Sequence, residues 1–133
     1  MNINIELTLI LNVLQHQSNA TELVFDPAIN WTLFYKLVRR HRVWHQVHNA
    51  FKNNQFDCPI TTVLAKFCEA DKQRILITAG ETIRIARAFT TKAIEHCFVK
   101  GTLLNVHLYG GLYTRPCSDI DAWVNASTSN LLQ

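Results

Sequence analysis

Two aspartates, Asp119 and Asp121, flank Ile120 in the run Ser-Asp-Ile-Asp-Ala-Trp-Val. The surrounding apolar residues predict a strand over residues 119–124. On a strand, side chains two apart share a face, so both carboxylates project together, about 6.5–7 Å apart at the backbone. Ile120, Ala122 and Val124 then turn the other way, toward a core. Paired carboxylates on a rigid strand suit a hard divalent ion such as Mg2+, which keeps waters and takes phosphate oxygens as further ligands. An Asp-x-Asp pair is a common pattern, however, and its meaning depends on its neighbours.

The neighbour that matters is upstream. His96 to Val99 reads as a short strand, and Lys100-Gly101-Thr102 opens a short helix running to about Tyr109. A strand, a glycine and a helix start form a backbone-amide anion site, because glycine lets a ligand approach and the helix N-terminus favours negative charge. Thr102 adds a hydroxyl and Lys100 a positive charge. Arg115, before Pro116, offers a second cation, or serves only to pin its loop. A phosphate cradle beside a carboxylate pair describes a triphosphate held between main-chain amides and Mg2+.

The elements that must position these groups are mostly helical. Residues 3–15 carry apolar residues at helical spacing through Ile5, Leu9, Leu11 and Val13, with a polar loop at 18–21. Asp26-Pro27 predicts a helix start, since the carboxylate caps open amides and proline suits the first position. That helix carries Trp31, Phe34, Tyr35, Leu37 and Val38, breaks near His41, resumes through Val43, Trp44, Val47 and Phe51, and stops at Asn53-Asn54. Asp57 to Pro59 predicts the next start, with helical pattern to about Glu95, or about 50 Å if unbroken. Gly80 is the expected interruption. Gly110-Gly111 ends the short helix. The expected fold is α+β: a helical region over 1–95 followed by a small, incomplete β-α-β unit over 96–133.

Other chemistry-bearing residues read more plainly. His41, His45 and His48 would share one helix face, but residues 41 and 48 lie about 10.5 Å apart along a helix. Zinc ligands sit about 2.0–2.1 Å from the metal, so the three cannot converge on one ion; a pair with outside ligands stays open. Four cysteines, Cys58, Cys68, Cys97 and Cys117, show no zinc spacing and read as reduced, buried thiols. Lys36, Arg39, Arg40 and Arg42 form a basic patch, either a solvated helix end or a contact for an acidic acceptor or RNA. The net charge of +3 is too small to imply nucleic-acid binding. Charged residues make up 17%, below the usual ~25%, which suggests surface hidden by a partner or by further fold. No apolar run approaches the ~20 residues of a membrane helix, and a soluble, cytoplasmic protein is expected.

The segment from Phe98 to Val124, FVKGTLLNVHLYGGLYTRPCSDIDAWV, resembles the signature of the uncharacterised nucleotidyltransferase family of the DNA polymerase β-like superfamily. Leu104, Leu108, Tyr109, Gly110, Arg115, Pro116, Asp119 and Asp121 fall on matching positions, and Trp31 with His41-Arg42-Val43 resembles the family's front region. The resemblance implies transfer of a nucleoside monophosphate from a nucleoside triphosphate to an unknown acceptor hydroxyl. Asp119 and Asp121 would hold two Mg2+ ions, and Lys100, Gly101, Thr102 and Arg115 would bind the nucleotide. The superfamily usually adds a third carboxylate from a later strand. Beyond Asp121 the sequence has no Asp or Glu, and family members run on considerably further. A truncated member or a fragment is therefore expected. The alternative is a catalytically inactive interaction module that retains the fold and pairs with a second copy through an exposed sheet edge.

Overall fold

The computed structural model describes residues 4–15 and 26–125. Helices α1 (Ile5–Gln15), α2 (Trp31–Arg40), α3 (Trp44–Asn53) and α4 (Thr61–Thr91) precede strand β1 (Glu95–Phe98), helix α5 (Thr102–Tyr109) and strand β2 (Ala122–Asn125). The fold is α+β and mostly helical. The chain divides into two compact units, Met1–Asp71 and Lys72–Gln133, so the change from helices to mixed structure at Glu95 falls inside the second. The polar loop expected at 18–21 lies outside the described residues.

In the first unit α1, α2 and α3 pack together around Leu9, Ile10, Val13, Phe34, Val38, Val47 and Phe51, joined by Leu64 and Cys68 of α4. Phe34 and Phe51 stack with centroids 6.0 Å apart. The Asp26-Pro27 signal makes a turn instead of a helix start: the Asp26 carboxylate accepts from the Ala28 N–H, and α2 begins at Trp31. Asn30 is its cap, taking the Leu33 N–H on its side-chain oxygen at 3.0 Å. Asn30 is fixed in turn by its own N–H, which donates to the buried Glu6 carboxylate of α1 at 3.0 Å. One carboxylate thereby joins two helices and sits where the α2 dipole favours it.

Three helices stop by one device. At the ends of α2, α3 and α4, the left-handed residue is Arg42 (φ +57°), Gln55 (φ +51°) or Ala93 (φ +52°). Each donates its N–H three residues back, to Arg39, Lys52 or Thr90. The next residue donates five back: Val43 to Val38, Phe56 to Phe51, Ile94 to Phe89. This pairing of bonds is the Schellman motif, and its usual apolar contact joins the same two residues; Phe51 and Phe56 rings lie 4.8 Å apart. The break expected near His41 and the stop at Asn53-Asn54 are both present. The long helix ends at Thr91 instead of Glu95, and Gly80 does not interrupt it.

In the second unit β1 and β2 form a two-stranded antiparallel sheet, pairing Glu95 with Asn125 and Phe98 with Ala122. Helix α5 connects them, as expected. The second strand differs from expectation. It spans Ala122–Asn125, so Asp119 and Asp121 precede it and the strand-alternation argument does not apply to Asp119. Ala122, expected toward the core, is exposed; its neighbour Trp123 is exposed as well. A four-residue partner limits the ladder, whose last rung is the Val99 N–H donating to the Asp121 carbonyl at 3.0 Å.

Candidate nucleotide and metal site

Gly101 links β1 to α5 with φ +91° and ψ −154°, a region essentially reserved for glycine. A Cβ there would lie 3.3 Å from the Asp119 carbonyl oxygen and 3.5 Å from Cys117 Sγ. The glycine and the acidic segment are therefore in contact. Cys117 Sγ also donates to the Asp119 carbonyl at 3.4 Å, holding that segment from a second side.

The ladder rung at Val99 sets Asp121 beside the Lys100-Gly101 turn, and Lys100 Nζ lies 3.3 Å from Asp121 Oδ2. Both side chains are largely open to solvent (72% and 44% exposed). Such a pair adds little stability, about 0–1 kcal/mol, so a ligand can rearrange it cheaply. Asp119 is exposed, and its carboxylate takes no ion pair among the described residues. Of the sequence-selected residues, the turn thus collects Lys100, Gly101, Asp119 and Asp121.

Thr102 and Arg115 take different surroundings. Thr102 opens α5 but is buried, and lines an open trough of about 680 Å3 with Thr82, Ile83, Ala86, Leu103 and Val106. Arg115 is exposed; its backbone is what the fold grips. The buried Asn105 Nδ2 donates to the carbonyls of Leu112 (3.2 Å) and Arg115 (2.6 Å), tying α5 to the loop that leads to the aspartates. The sequence reading missed Asn105. Its signal was the single amide in the run Thr-Leu-Leu-Asn-Val-His-Leu-Tyr, three residues, or about one turn, from Thr102, the other buried residue of the helix. Gly110 closes α5 in the left-handed region (φ +66°), its N–H bonded to the Val106 carbonyl.

The donor chemistry fits Mg2+: two solvent-facing carboxylates leave coordination positions for water and phosphate. No cluster of three or more His, Cys, Asp or Glu able to hold a metal occurs among the described residues. The three histidines expected on one helix face do not share one. His41 caps α2, whereas His45 and His48 belong to α3. His45 Nε2 lies 2.9 Å from Asp71 Oδ2, the same oxygen that accepts from Trp44 Nε1–H at 2.9 Å. With that carboxylate as acceptor, Nε2 carries the proton. Among the cysteines Cys68 is buried as expected, whereas Cys97 is exposed.

Residues 27–130 match the family described as uncharacterised nucleotidyltransferase. The chain belongs to that family, and the match spans every element from α2 to β2, the Lys100-Gly101 turn and both aspartates included. No curated protein and no solved structure matches it significantly. A nucleotidyltransferase-like function follows from the family. No helix among the described residues is long and apolar enough to cross a membrane.

Proposed function

We propose that the protein is a Mg2+-dependent nucleotidyltransferase, or a module of one, that binds a nucleoside triphosphate at the Lys100-Gly101 turn and transfers its nucleoside monophosphate to an acceptor hydroxyl. One observation carries this reading: a glycine in a glycine-only conformation packs against the backbone of Asp119, beside a Lys100–Asp121 pair. Asp119 and Asp121 would hold Mg2+, which supplies charge neutralisation on the triphosphate and activation of the attacking oxygen. The main-chain N–H groups opening α5 bind phosphate oxygens; Thr102, being buried, contributes its backbone. Lys100, released from Asp121, and Arg115 balance the triphosphate charge. The acceptor oxygen attacks the α-phosphorus, the bond to the bridging β-phosphate oxygen breaks, pyrophosphate leaves, and the hydroxyl proton passes to solvent or a carboxylate.

A second reading, an inactive interaction module forming a homo-oligomer, draws on the apolar surface of the second unit, where Trp123 is 61% and Ile77 74% exposed. Pyrophosphate release with ATP, GTP, CTP and UTP, titrated with Mg2+, separates the two. Metal-dependent release abolished by both Asp119→Asn and Asp121→Asn supports the enzyme; no nucleotide binding by the wild type supports the module.

A further inference from the structure

The basic patch on α2 remains unused by the nucleotide site. It lies wholly in the first unit. Lys36, Arg39 and Arg40 stand at helical spacings of three and four, so they share one face of α2. The Schellman turn adds Arg42 just past the helix end. With Tyr35 and Trp44 these four line a groove of about 650 Å3. All four are exposed, and none makes an ion pair or side-chain hydrogen bond among the described residues. The Arg39 guanidinium is nonetheless held in place, 4.7 Å above the Phe67 ring and 6.0 Å from that of Tyr35. Stacking immobilises the flat cation while leaving its N–H edge open, which lowers the ordering cost of binding.

The dipole of α2 accounts for cations in its last turn, Arg39 and Arg40. It does not account for a concave site, for Arg42 beyond the helix, or for four cations that make no ion pair among the described residues. The geometry points to an anion site for a ligand bearing two or more phosphate groups. Three of the four cations are arginines, whose planar forks pair with phosphate oxygens two at a time, where lysine acts as a point charge. The two sources of such a ligand are a free oligophosphate and the phosphodiester chain of a nucleic acid.

The test is calorimetric titration of the full chain, in EDTA, with tripolyphosphate and separately with a single-stranded RNA octamer. Arg39→Gln should weaken binding about tenfold, the usual scale for one charge-assisted contact. Arg42→Gly should weaken it similarly while raising the melting temperature, because glycine relieves the left-handed backbone. Those opposed changes exclude misfolding as the cause. Lys52→Gln, on α3 outside the groove, should leave the affinity unchanged. A stronger response to RNA assigns a phosphodiester chain, and a stronger response to tripolyphosphate a free oligophosphate. The inference is overturned if neither probe binds, if Lys52→Gln weakens binding as much as Arg39→Gln, or if polyglutamate binds as tightly. Loss through Lys100→Gln alone also overturns it, while leaving the nucleotide site standing.

Discussion

Replacing Gly101 by alanine tests the contact that defines the site. At φ +91° and ψ −154°, an L-residue carries strain of about 1–3 kcal/mol. The added Cβ meets the Asp119 carbonyl at 3.3 Å, closer than ordinary van der Waals contact, and the obstacle is backbone, which cannot swing aside as a side-chain tip does. The strain therefore either persists or is relieved by moving the acidic segment away from the turn. Thermal melting should show a loss of about 3–12 °C for a chain of this size. Nucleotide affinity should fall about tenfold, the equivalent of 1.4 kcal/mol. Gly80→Ala is the matched control. Gly80 sits within α4 with nothing within 4 Å of a new Cβ, so the same chemical change should stabilise by about 1 kcal/mol. If Gly101→Ala is neutral or stabilising, as Gly80→Ala is predicted to be, the close approach of glycine and acidic segment is refuted.

The three non-glycine Schellman positions make a second prediction: Gln55→Gly and Ala93→Gly should each raise stability in urea unfolding by up to about 1 kcal/mol, since glycine avoids the left-handed cost of a Cβ. Asp71→Leu should destabilise by about 2–4 kcal/mol in the same assay, because it orphans the buried Trp44 and His45 N–H donors. Asn105→Ala should cost about 1–3 kcal/mol and speed proteolysis near residues 112–117, the loop whose carbonyls Asn105 holds.

Local signals reached the sequence intact. The polar residues between Val38 and Val43 and between Phe51 and Phe56 mark two of the helix ends, whereas the end between Phe89 and Ile94, where Ala93 is apolar, was not legible and the helix was expected to run to about Glu95. Gly101 before a helix, and two aspartates beyond it, were enough to select the turn. The boundary of β2 was not legible, because it is set by the rung from Val99 to Asp121 rather than by the apolar pattern of residues 119–124. Asp26-Pro27 misled for a similar reason: its carboxylate is spent on a turn, and Asn30 wins the cap because Glu6 holds it in place. The pairing of Asp71 with Trp44 and His45 joins residues 26 and 27 positions apart, beyond the reach of any local pattern. There the sequence offered three histidines, and tertiary packing divided them between two elements.

The most direct measurement of the central claim is binding of Mn2+, used as a spectroscopic stand-in for Mg2+, with a non-hydrolysable nucleoside triphosphate analogue present and followed by electron paramagnetic resonance. The Asp119/Asp121 site predicts a nucleotide-dependent bound signal in the wild type that Asp119→Asn and Asp121→Asn each abolish while the fold, by circular dichroism, is unchanged. A bound signal that survives both substitutions would contradict it.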